Sequence, residues 1–238
     1  MKTSRGLSLI EVTIVLVIIG LLLGGLLIPL SAQMDQQKIE LTKKRLEEIK
    51  EALLGFAIIY NRLPCPAKYS QFDKEKPIIT KDAGKEELSF CGKKIEGYLP
   101  WKDLGVGRYD GWNNPFRYRP EDEYTETPIV SNISNGLQVA NIKGNSLTTS
   151  SKFRVAAIIF SCGKNGIPDP TSSDKDKTND GDADRNTKIT CENEGTWKQR
   201  DVYIQDSYVE NSFDDILTWL SKNTLMNRLV AAGKWPPP

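Results

Sequence analysis

"SRGLSLIEVTIVLVIIGLLLGG" occupies residues 4–25. Apart from one glutamate, Glu11, everything from Leu7 onward in it is uncharged. The charge-free run continues over residues 12–30, nineteen positions. As a helix it covers about 28 Å, close to the hydrocarbon thickness of a bilayer. Lys2 and Arg5 precede it, so the N-terminus is expected to stay cytoplasmic. A carboxylate near such a segment costs roughly 2.5 to 3.5 kcal/mol on insertion scales, so Glu11 calls for a partner. Gly20 and Gly24 form a G-x-x-x-G pair that permits close helix approach, a weak signal on its own.

Helical periodicity does not stop where the apolar run stops. Ile39, Thr42, Leu46, Ile49, Leu53, Phe56 and Tyr60 alternate steps of three and four, which makes one stripe along a helix. Glu40 and Lys44, Lys43 and Glu47, and Lys44 and Glu48 are spaced to pair at i,i+4 on the exposed faces. The spacing predicts a single helix from near Leu7 to Tyr60, apolar all round at first and amphipathic later. Pro29 and the Gly24-Gly25 pair are expected to bend or loosen it. The stripe suits packing on the chain's own domain better than a coiled coil, because it covers only about three heptads.

At this point the residues resemble a family. A short basic leader ends in Gly6, Leu7-Ser8-Leu9-Ile10-Glu11 follows, and an unbroken apolar helix comes next. This is similar to the N-terminus of type IV pilins and type II secretion pseudopilins. The resemblance implies cleavage after Gly6 by a prepilin peptidase and methylation of the new amino group on Leu7. Leucine stands where the family usually has phenylalanine. The resemblance also implies a filament in which Glu11 meets the α-amino group of a neighbouring subunit. Implied partners are the peptidase, other pilin or pseudopilin subunits, an inner-membrane assembly platform and membrane lipid. The implied location is the bacterial inner membrane, single-pass, with the C-terminal domain in the periplasm, and the filament after assembly.

The expected organisation is a leader at residues 1–6, a transmembrane and assembly helix at 7–30, its amphipathic continuation at 31–60, and an extracytoplasmic globular domain at 61–238. The expected fold class is α+β: the long helix packed on an antiparallel sheet, with short C-terminal helices. Strand candidates lie at 116–119, 137–142, 152–162 and 201–209, in an antiparallel meander. Ser212 with Asp215 has the spacing of a capping box, so the helical reading there starts near 212 and packs Ile216, Leu220, Leu225 and Leu229 inward. Residues 97–120 are dense in Gly, Pro, Asn and aromatics, which marks tight turns packed by large rings; part of this stretch also resembles the entry of pseudopilins into their sheet.

The net charge is +1 and the chain has no histidine. The first removes bulk charge as a reason for nucleic-acid binding. The second removes the commonest general base and the Ser-His and Cys-His nucleophile pairs. Enzymatic activity is therefore not expected. Cys65, Cys91, Cys162 and Cys191 show no C-x-x-C spacing. Beyond a membrane segment an even count suggests disulfides. Chain order favours Cys65 with Cys91 and Cys162 with Cys191, although three pairings are open and four reduced thiols are the alternative.

One loop carries six aspartates, Asp169, Asp174, Asp176, Asp180, Asp182 and Asp184. The last five are candidate Ca²⁺ ligands, because alternating carboxylates can surround an oxygen-loving cation. The EF-type pattern is incomplete, and Lys175, Lys177 and Arg185 partly neutralise the loop. A solvated acidic loop stands slightly ahead. Three functions remain: a filament subunit, a membrane-anchored calcium-binding or adhesive module that does not polymerise, and an anchored hydrolase with paired carboxylates. The third is weakest, since no two acids outside the loop sit in an apolar context. The chain exceeds typical major pilins in size, which favours a minor subunit.

Overall fold

The computed structural model describes residues 8–68, 83–129, 137–141, 143, 145–148, 155–166, 202–207 and 213–235; for 22–31 the description is of the backbone alone. The chain divides into two compact units, Met1–Glu40 and Leu41–Pro238.

Helix α1 runs over Leu9–Tyr60. Its helical backbone continues through Gly24-Gly25 and Pro29. In the first unit the apolar side chains from Leu9 to Leu21 are exposed, Leu9 at 85% and Leu21 at 73%. In the second unit Thr42, Leu46, Ile49, Leu53 and Phe56 are buried, as the stripe requires. Tyr60 departs from that pattern and is exposed. The reason is local: Asn61 takes a positive φ of 53°, and its N–H closes the helix on the carbonyl of Ala57 at 2.9 Å. The chain leaves the core at that left-handed turn. Of the expected ion pairs, Lys44 and Glu48 lie 3.9 Å apart. Glu47 meets Lys50 at 2.6 Å.

Strands β1 (Gly97–Tyr98), β2 (Arg117–Pro120), β4 (Val155–Ser161) and β6 (Ile216–Ser221) make an antiparallel sheet in the order β1-β2-β4-β6. Strand β4 reads Val-Ala-Ala-Ile-Ile-Phe-Ser and every residue of it is buried. A continuous apolar strand needs cover on both faces. Ala157 and Ile159 pack with Leu46, Ile49, Leu53 and Ala57 of α1. Ile158 and Phe160 pack with Val139 and Tyr203. These last two belong to β3 (Gln138–Ala140) and β5 (Val202–Ile204), which pair in parallel as a separate two-stranded sheet.

The expected meander is thus corrected. Within the expected segments, Gln138–Ala140 and Val202–Ile204 pair with each other as the second layer that β4 requires, while Leu137 keeps a single antiparallel bridge to Val155. The helical reading from 212 is corrected too. Ile216–Ser221 is a strand paired with β4, and α3 covers Lys222–Ala231. The Ile-Leu-Thr-Trp-Leu run is rich in β-branched and aromatic residues, which fit a half-buried sheet surface. The true cap is Ser221, whose Oγ accepts from the Thr224 N–H at 3.1 Å. Leu220, Leu225 and Leu229 do pack inward, while Ile216 is only partly buried.

The aromatic-rich segment is structural. A short helix, α2, spans Trp101–Leu104. The Asp110 carboxylate accepts from the N–H of Trp112 and of Asn114, each at 2.8 Å, and from the Ser161 hydroxyl. Helix α1 grips the same turn. Thr42 Oγ1 accepts from the Gly111 N–H at 2.9 Å, and Arg45 donates to the carbonyls of Tyr109 and Asp110 at 2.7 and 3.0 Å. The polar exception in the stripe is therefore a latch between helix and loop.

Candidate functional site

The start of α1 is built by a short pattern. Ser8 precedes the first helical residue and Glu11 stands three positions later, the spacing of a capping box. One Glu11 carboxylate oxygen accepts from the Ser8 N–H at 3.0 Å. The Ser8 carbonyl accepts from the Val12 N–H at 3.2 Å, and the Thr13 hydroxyl donates to the Ile10 carbonyl at 2.8 Å. A carboxylate in the first turn also suits the positive end of the helix dipole. S-x-x-E at a helix start is a signal of this cap that the sequence itself carries. Gly6 and Leu7 lie outside the described residues.

Downstream of this cap the helix offers apolar side chains on every described face. Ile14, Val15, Leu16, Val17, Ile18 and Ile19 are all exposed. A surface of that kind is stable only against hydrocarbon or other apolar helices. Gly20 adds a gap: nothing lies within 4 Å of where a Cβ would stand. Among the described residues no helix is long and apolar enough to cross a membrane. The span expected over residues 12–30 extends past those whose side chains are described.

Residues 1–27 match the family known as the prokaryotic N-terminal methylation motif. This N-terminus is the type IV pilin and pseudopilin signature. The motif supports a pilin-like protein processed by a prepilin peptidase and implies assembly with other pilin subunits. No curated protein and no solved structure matches the chain.

The remaining candidate residues separate clearly. Cys65 and Cys91 form a disulfide with their Cα atoms 5.1 Å apart, the pairing that chain order favours. Cys162 is disulfide-bonded as well; Cys191, its expected partner, lies outside the described residues. So do Asp174, Asp176, Asp180, Asp182 and Asp184. Cys65, Glu86 and Cys91 cluster closely enough to hold a metal ion, but the sulfurs are joined to each other. Glu86 is engaged too, by Arg62 at 2.6 and 2.7 Å and by the Cys65 N–H at 3.0 Å. Burial pushes the Glu86 carboxyl up, and Arg62 and the Cys65 amide more than offset it, so its pKa is lowered.

Among the buried acids, Glu96, Asp110 and Glu121 have raised pKa values. Glu96 accepts from the Tyr203 hydroxyl at 2.6 Å and meets Arg117 at 3.0 Å; Arg117 also lies over the Tyr98 ring, 4.6 Å from its centroid. Burial raises the Glu96 pKa against those partners. Asp110 is raised by burial in the same way. Glu121 accepts from the Leu137 N–H at 2.9 Å. Burial first, and Asp122 second, push it up to about 8. Each of these acids holds two segments of the domain together.

Proposed function

We propose that this chain is a minor pilin or pseudopilin, a structural and non-enzymatic subunit of a type IV pilus or type II secretion filament. The observation that carries the reading is the exposed apolar helix beginning at Leu9, with Glu11 in its first turn and the methylation motif over residues 1–27. Peptidase cleavage after Gly6 frees the α-amino group of Leu7. Residues 12–30 anchor the subunit in the inner membrane, with Lys2 and Arg5 on the cytoplasmic side and the domain in the periplasm. On assembly the apolar helices pack together, and Glu11 pairs with the Leu7 ammonium of a neighbour. Apolar packing supplies cohesion, and the charge pair sets axial register.

The test uses two variants of the full chain. Gly6→Val is expected to retain its leader, because a larger side chain obstructs backbone approach at the cleavage point. Mass spectrometry finding Leu7 at the N-terminus of that variant would overturn the claim. Glu11→Leu is expected to be processed, inserted and folded, but missing from sheared filaments. Without the carboxylate a buried ammonium is left unpaired, at about 3 to 5 kcal/mol per contact. Normal incorporation of Glu11→Leu, or an uncleaved leader in the unmodified protein, would favour the non-polymerising anchored module.

A further inference from the structure

The Cys65–Cys91 disulfide joins two segments of unlike exposure. Leu63, Pro64, Cys65, Pro66 and Ala67 are all buried, and Cys65 fully so. That run is held on both sides of the sulfur. The Tyr118 hydroxyl donates to the Pro64 carbonyl at 3.1 Å, and Ala67 exchanges hydrogen bonds with Tyr98 at 2.8 and 3.1 Å. Prolines on either side of Cys65 fix the backbone further. Cys91 sits differently. It follows the short helical turn Leu88–Phe90, in which Leu88 is 66% exposed. Ser89, Gly92 and Lys93 are exposed, and Cys91 itself is partly exposed.

The sulfurs also differ in their charged surroundings. Arg62 Nη1 lies 3.9 Å from Cys65 Sγ. The Glu86 carboxylate is within 4.8 Å of both sulfurs, so it opposes a thiolate at either one. Burial by itself disfavours a thiolate at Cys65, and the guanidinium counters that. In thiol–disulfide exchange the accessible sulfur is attacked, and the sulfur whose thiolate is better stabilised leaves. Access points to Cys91 as the sulfur attacked, and Arg62 points to Cys65 as the one that leaves.

We propose that the Cys65–Cys91 bond is a thiol–disulfide exchange site entered at Cys91, its partner a dithiol reductant. The incoming thiolate attacks Cys91 Sγ. A new S–S bond forms there, the Cys65–Cys91 bond breaks, and its electron pair leaves on Cys65 Sγ beside Arg62. The reductant's second thiolate then attacks the reductant sulfur of the mixed disulfide. Cys91 is released as a thiolate and the reductant closes its own disulfide. Two electrons pass to this chain, and the reductant's two protons end on Cys65 and Cys91 through solvent. Other contacts still bridge the segments when the bond opens. Arg62 holds Glu86 at 2.6 and 2.7 Å, Glu86 accepts from the Cys65 N–H at 3.0 Å, and the Glu87 N–H donates to the Pro66 carbonyl at 3.0 Å. They keep Cys65 opposite Cys91, so the reverse sequence re-forms the same pair. This inference does not depend on the filament reading.

The experiment uses the unmodified full chain, folded and oxidised in detergent, with glutathione as the probe thiol. Short exposures are quenched with acid, free thiols are alkylated, and the adducts are mapped by peptide mass spectrometry. Glutathione on Cys91, with the alkyl group on Cys65, is expected to exceed the opposite arrangement by about tenfold. In denaturant, where both sulfurs are accessible, the two arrangements are expected to approach equal amounts. An equal partition in the folded protein overturns the proposal, and so does an excess of glutathione on Cys65. Absence of any adduct in folded protein, under conditions in which the denatured protein reacts, overturns it as well, because the bond is then inert in the native state.

Discussion

At Glu121 a single carboxyl group ties pH to stability. The folded protein holds its proton up to about pH 8, whereas an unfolded glutamate releases it near 4.5. The stability linked to that proton is complete below pH 4.5 and is lost as the pH rises through 8. Glu121→Gln keeps an oxygen to accept from the Leu137 N–H and has no proton to lose. It is expected to raise the melting temperature at pH 9, by the equivalent of about 1 to 3 kcal/mol, with little change at pH 4. Equal destabilisation at both pH values would refute the assignment. Glu11 differs in kind. It is exposed and caps its own helix through Ser8, so its carboxylate already has a partner in the single subunit. In the proposed filament, pairing with a neighbour's amino group would compete with that bond or share the carboxylate with it.

Among the elements, α1 was the most legible, because its stripe of seven positions follows one period and its last turn ends at Asn61. Strand β4 was legible as an apolar run, and its flanking residues placed it within a few positions. The parallel pairing of β3 with β5 was not. Three-residue strands carry no periodicity, and their partners are 64 positions apart in register, Gln138 with Val202. The β6 segment reads as helix in the sequence because Ile216, Leu220, Leu225 and Leu229 also fit a period near four. What decided against it was the need of β4 for a neighbour, which only the tertiary structure supplies. The buried Glu96–Arg117 pair was equally hidden, since nothing local marks a charge that will be buried. At the start of α1 the motif was legible in full, whereas the cap through Ser8 followed only once the helix boundary was known. The latch on α1 gives a test at this scale. Thr42 is fully buried, and Thr42→Val removes the acceptor for the Gly111 N–H while keeping side-chain shape. A cost of about 1 to 3 kcal/mol is expected. Urea unfolding should show a lower midpoint with an unchanged slope; an unchanged midpoint would mean that water replaces the hydroxyl without loss.

In the whole molecule the division between Met1–Glu40 and Leu41–Pro238 separates two kinds of stabilisation. The second unit buries its own core around Leu46, Leu53, Tyr118, Ile159 and Leu225 and is stapled by Cys65–Cys91. The first unit leaves its apolar side chains exposed from Leu9 to Leu21 and depends on its surroundings. Substitutions in the two are therefore expected to act on different measurements. Leu53 is fully buried, and Leu53→Ala opens a cavity that costs about 2 to 5 kcal/mol. It should lower the unfolding midpoint of the domain without changing cleavage after Gly6, because the peptidase meets the opposite end of α1. Glu11→Leu should leave that midpoint where it is and remove the protein from filaments. Sites that share no partners add, so the double variant should show the Leu53→Ala midpoint within about 0.5 kcal/mol together with the Glu11→Leu assembly defect. Thermal unfolding in detergent and filament shearing measure the two effects on the same preparation. A midpoint in the double variant that departs from the single one would show that the two units are energetically coupled, and the assembly role of Glu11 would then have to be separated from an effect on the fold.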